Sequence, residues 1–165
     1  MVYFGAFKII LYFTLFFIAL HFTPENPERL YNRDTFSCYT FHYYTIMDIE
    51  TFREYCLSKP ETTEGLPFGP DTLVFKVANK MFALTGLDSV EFKVNLKCDP
   101  DRALELREQY DDVQPGYHMN KQHWNTVHFE GEVPNKLLYE LIDHSYLLIV
   151  QSLKKVDRER ILALL

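Results

Sequence analysis

The chain has 165 residues, enough for one ordinary core and an appended segment but short for two full domains. Its formal net charge of −6 falls entirely from Met47 onward, where 20 acidic residues face 14 basic ones. A uniformly basic, nucleic-acid-coating body is therefore excluded, and any DNA-binding face has to be local.

Residues 1–46 hold just over half of the aromatic side chains in little more than a quarter of the length. Ile9 to Leu20 carries no charge, and between Met1 and Phe22 only Lys8 interrupts an apolar run long enough to span a bilayer. Three readings follow. Residues 3–22 are a membrane anchor, or they are a secretory signal that lacks a small-residue cleavage site, or residues 1–46 are aromatic-rich sequence translated upstream of a true start at Met47. The third is the expectation adopted, because YNRDTFSCYTFHYYTI has neither helical nor strand periodicity while Met47 opens a well-formed helix start.

From there the pattern is regular. Asp48 caps a first helix over about 48–58, with Ile49, Phe52, Tyr55 and Cys56 as its apolar stripe and Pro60 preventing continuation. ETTEGLPFGPD, with two Gly and two Pro, reads as a loop. TLVFKV and KMFALTG form a hairpin around Ala78–Asn79, where Asn79 accepts a positive φ. VEFKVNLK alternates Val90, Phe92, Val94 and Leu96 with polar residues and makes a third antiparallel strand. Asp99 and Pro100 start a second helix over about 100–110, with Ala103, Leu104, Leu106 and Tyr110 inward. A Pro-Gly turn, the strand NTVHFEG, a helix from Pro134 to Leu153 with a break expected near Asp143–Ser145, and a tail helix in DRERILALL complete the chain. Helices at both ends of a run of antiparallel strands predict an α+β fold, a two-layer sandwich of helices on an antiparallel sheet.

Cys38, Cys56 and Cys98 are odd in number and far apart, which predicts free, buried thiols rather than a disulfide framework. Within 47–165, five ordered segments, MDIETFREYCLSKPETTEGLPFG, FKVANKMFAL, VEFKVNLKCDPDRALELREQY, GYHMNKQHWNTV and LIDHSY, resemble the MmcQ/YjbR family. The resemblance begins at Met47. It implies a CyaY-like fold, a small cytoplasmic bacterial protein, and the DNA-binding role commonly attached to the family by analogy with a double-wing motif.

The densest polar constellation is Tyr117, His118, Asn120, Lys121, His123, Trp124, Asn125 and His128, on a loop entering a strand. As a binding site it would set Lys121 on phosphate and stack Tyr117 and Trp124 on a base or ring; as scaffold, the two aromatics anchor the loop. Lys76, Lys80, Lys93 and Lys97 are the further candidate DNA contacts, on the polar side of the strands and hairpin. Histidines spaced by five suit no familiar metal pattern, EGLPFGPD lacks the lysine of a phosphate-binding loop, and no Gly-x-Ser-x-Gly frame occurs. The expectation is a non-enzymatic protein without metal or other cofactor, binding DNA through these lysines and the 117–128 loop, or alternatively a protein- or small-anion-binding module with no nucleic-acid role.

Overall fold

The computed structural model describes residues 47–165; the expectations for residues 1–46 fall outside them. Asp48 opens helix α1 (Ile49–Leu57) by accepting the Thr51 backbone N–H at 2.8 Å, and the Thr51 side chain, with that N–H second, holds its carboxyl below the usual range. The helix buries Phe52 and Cys56. Strands β1 (Thr62–Gly65), β2 (Thr72–Val77), β3 (Lys80–Gly86) and β4 (Lys93–Lys97) follow, then helix α2 (Pro100–Gln109), strands β5 (Val113–Pro115) and β6 (Trp124–His128), and helices α3 (Asn135–Gln151) and α4 (Lys155–Leu162). The six strands form one antiparallel sheet in the order β1-β2-β3-β4-β6-β5.

The expected α+β sandwich is the fold observed. One core cluster joins Phe52 and Cys56 of α1, Ala103 and Leu106 of α2, Leu138, Ile142 and Tyr146 of α3 and Ile161 of α4 to Phe75, Val77, Val94, Leu96, Val113 and Val127 of the sheet. The helices thus cover one sheet face. Phe52 lies at its centre, edge-on to Phe75, Phe92 and Phe129 with ring centroids 5.3 to 5.8 Å apart.

The β2–β3 turn places both Ala78 (φ 47°) and Asn79 (φ 62°) in the left-handed region, as a two-residue hairpin of this twist demands. Elsewhere the structure departs from the sequence reading. The stretch read as a loop contains β1, an edge strand whose Thr62–Gly65 pair with Val77–Val74 through backbone alone, without an alternating apolar face to announce it. The Pro-Gly turn is preceded by a second short edge, β5, where Pro115 is tolerated because an edge strand has an unpaired side. Val90 is fully exposed, since β4 begins only at Lys93, and Leu104 is 57% exposed beside buried Ala103 and Leu106. Helix α3 runs unbroken through Asp143–Ser145. Among the described residues no helix is long and apolar enough to cross a membrane.

Candidate functional site

The sheet face away from the helices carries the outward residues of each strand. On β4 these are Lys93, Asn95 and Lys97, alternating with core residues Val94 and Leu96. Register sets them opposite His128, Thr126 and Trp124 of β6. Gln114 of β5 lies opposite Thr126, and Leu84 of β3 opposite Asn95. This face is the floor of a cleft of about 920 Å³, whose lining also includes Phe68, Glu91, Asp112, Tyr117, His118 and Met119. Its walls are the loops at 66–71, 87–92, 110–112 and 116–123.

A hydrogen-bond relay ties the loop at 116–123 to the floor. The Tyr117 N–H donates to Thr126 Oγ1 at 2.9 Å, and that hydroxyl donates to Asn95 Oδ1 at 2.6 Å. The carbonyl of Asn95 is thereby fixed, and its NH2 is the branch left to the cleft. Gly116 permits the close turn: a Cβ there would stand 2.8 Å from Trp124 Cβ and 2.9 Å from the Trp124 carbonyl oxygen. His118 sits at φ 54°, and its ring lies against that of Tyr117 with centroids 4.0 Å apart. Such non-glycine backbone in the left-handed region costs of order 1 kcal/mol and persists where the surroundings hold it.

At the far end of the floor, His128 Nδ1 is 3.5 Å from Asp112 Oδ1 and its Nε2 is 3.9 Å from Glu130 Oε2, sealed from water without a hydrogen-bond partner. Asp112 is held in turn by the Glu132 N–H at 2.5 Å, a contact that Gly131 makes room for.

The candidate residues divide. Lys93, Tyr117 and His118 line the cleft. Lys93 forms an ion pair with Glu91, and the same lysine holds the Glu91 carboxyl below its usual range. Lys97 lies 5.5 Å over the Trp124 ring, and Lys76 points from β2 toward the same open face. Trp124 is only 7% exposed, so it packs the strand and offers a base no open ring. Asn120, Lys121 and His123 do not line the cleft. Asn120 Oδ1 caps the Gln122 N–H at 2.9 Å, the His123 carbonyl accepts from the Cys98 N–H at 2.8 Å, and the Lys121 carbonyl accepts from Arg107 Nη2 at 2.6 Å.

Sequence reasoning missed Arg107, which also grips Asn125 Oδ1 at 2.7 and 2.9 Å and so fastens the loop to α2. It also missed Asn95, Thr126, Phe68 and Asp112. The period-two alternation of β4 and β6 could have put Asn95 and Thr126 beside Lys93 and His128; nothing local marks Phe68 or Asp112. Among the described residues no three His, Cys, Asp or Glu side chains converge as a metal site. Cys56 and Cys98 are buried and their thiols are pushed up by desolvation, away from nucleophilic thiolate.

Comparison with known proteins gives a consistent answer. The YjbR family model matches residues 57–148. The uncharacterized protein YbdF of Escherichia coli O157:H7 is 41% identical over 113 residues, covering 68% of this chain and 92% of its own. The uncharacterized protein YjbR of E. coli K12 is 33% identical over 118 residues, covering 72% of this chain and all of its own. A crystal structure from Deinococcus radiodurans with a DUF419 domain is similar at TM-score 0.67 and 38% identity, over 70% of this chain and 88% of that one. A Pseudomonas syringae crystal structure is similar at TM-score 0.54 and 30% identity, over 62% of this chain and 98% of that one.

Proposed function

The chain belongs to the YjbR family, and we propose that it works as a non-enzymatic binding module whose ligand lies in the open-face cleft. The observation that carries this reading is the cleft itself, about 920 Å³ in volume and floored by Asn95, Thr126, Gln114 and His128. That size falls in the range typical of small-molecule sites, and the lining sets Phe68, Leu84, Pro115, Tyr117 and Met119 among polar and charged side chains. The relay from Tyr117 through Thr126 to Asn95 supports it, because it pre-orders the floor before a ligand arrives.

A melting-shift screen of small polar organic compounds tests the reading. Compounds that stabilise the protein should lose their effect in Leu84→Trp, which fills the floor, and keep it in Lys121→Ala, whose side chain lies off the cleft. Stabilisation that survives Leu84→Trp and vanishes in Lys121→Ala would overturn the cleft in favour of the loop.

A second reading, DNA binding in the cytoplasm, draws on one observation: Lys76, Lys93 and Lys97 share the open face. Glu91, Asp111 and Asp112 stand on the cleft of that same face, and Lys93 is already paired with one of them. Phosphate would meet a field of mixed sign.

A further inference from the structure

We propose that the cleft selects an organic cation, an ammonium or guanidinium group attached to an apolar body. This inference rests on the cleft being the binding surface, and two separate features of the lining lead to it.

The first is charge. Glu91, Asp111 and Asp112 line the cleft against a single lysine, Lys93, and that lysine is spent on Glu91. Asp112 is shared between the Glu132 N–H and His128. Asp111 has no ion-pair partner among the described residues, so its carboxylate is the one left for a ligand. An incoming anion would meet carboxylates on one wall and a neutralised lysine on the other.

The second feature is the pair of open aromatic rings. Phe68 is 65% and Tyr117 70% exposed, they come from different loops, and both line this cleft. Exposed rings gathered in one concave surface, unlike rings scattered singly, mark a binding groove. The negative faces of such rings attract cations and do nothing for anions. Carboxylates alone would be an ordinary solvated surface; carboxylates beside two open rings, above an ordered amide and hydroxyl floor, form the lining that an amine with an apolar body satisfies at both ends. Leu84 and Pro115 on the floor and Met119 on the wall supply the rest of the apolar lining.

The test is an NMR titration of the full chain with phenethylamine and, in parallel, phenylacetate, which has the same ring and the opposite charge. Phenethylamine should move the amide resonances of Gln114, Tyr117 and Thr126, and phenylacetate should not. Asp111→Asn, an exposed turn position, should weaken the amine about tenfold, the effect expected for loss of one useful charge contact, with the remaining spectrum unchanged. Phe68→Ala should weaken the amine and narrow its preference over phenylacetate, because a ring face that attracts only the cation is gone. Equal or stronger response to phenylacetate at these amides overturns the cation preference and leaves the cleft as the binding surface. Failure of both probes to move cleft amides, or a response unchanged in Leu84→Trp, overturns the cation proposal and the cleft reading together.

Discussion

At the scale of single residues, polar side chains that look alike in sequence serve different ends. His118 and His123 are two of the closely spaced histidines, yet one lines the cleft and the other contributes its backbone to the Cys98 bond. His144 drew no notice in sequence and has the clearest electrostatic consequence. It stands on α3 with Nε2 accepting the Asp99 N–H at 3.3 Å, a bond that requires this nitrogen to be unprotonated. Burial, aided by nearby Arg102 and opposed by Asp99, lowers its pKa from the ordinary 6.5. The unfolded chain therefore binds the proton more readily than the folded one. The stability this residue contributes is present above 6.5 and is lost as pH falls through the lower folded value. Urea unfolding of wild type and His144→Gln from about pH 7 to about pH 5 should show a smaller acid loss in the variant. Parallel curves would exclude His144 as an acid-sensitive contact.

At the scale of elements, the strong periodic signals were legible and the weak ones were not. The 72–86 hairpin, the caps at Asp48 and Asp99 and the core positions of β4 and β6 follow from alternation and cap chemistry. The edges β1 and β5 do not, because an edge paired through backbone on one side needs no apolar pattern. Helix α3 shows the complementary case, a polar triplet that suggests a break and instead finds tertiary partners. Asp143 accepts from the Tyr55 hydroxyl at 2.9 Å and pairs with Lys59, and Ser145 is wholly buried against the sheet. Its hydroxyl donates to the Phe82 carbonyl at 2.5 Å and accepts from the Lys97 N–H at 2.8 Å, joining β3 and β4 to the helix. Ser145→Ala strands two backbone groups in the interior, and should lower the unfolding free energy by about 2–3 kcal/mol. Ser89→Ala, on an exposed loop, should change it by less than about 0.5 kcal/mol in the same denaturant titration. A silent Ser145→Ala would show that water or backbone adjustment replaces the bridge.

At the scale of the whole molecule, the cleft was illegible because it is a product of topology. Five strands and four loops meet at one face, and Phe68, Asn95, Asp112 and His128 become neighbours only after the sheet closes in the order β1-β2-β3-β4-β6-β5. Net charge was legible from the start, and its distribution now bears on partner choice. Duplex affinity depends on how many cations can replace counterions on phosphate, and each engaged one adds nearly one unit to the salt slope. Of the open-face lysines, Lys93 is held by Glu91 and Lys97 lies over Trp124. Lys76 remains, with the carboxylates of Asp111 and Asp112 on the same face. One or two engaged cations against that field give little retention even in dilute salt. A band-shift titration with duplex DNA at about 50 mM salt should therefore show no discrete complex. The double variant Asp111→Lys, Glu91→Gln, which frees Lys93 and reverses one carboxylate, should produce a weak complex that disappears by about 200 mM salt. Tight wild-type binding with a steep salt slope, lost in Lys93→Ala and Lys97→Ala, would instead make this face a phosphate surface and displace the small-ligand cleft as the reading of the site.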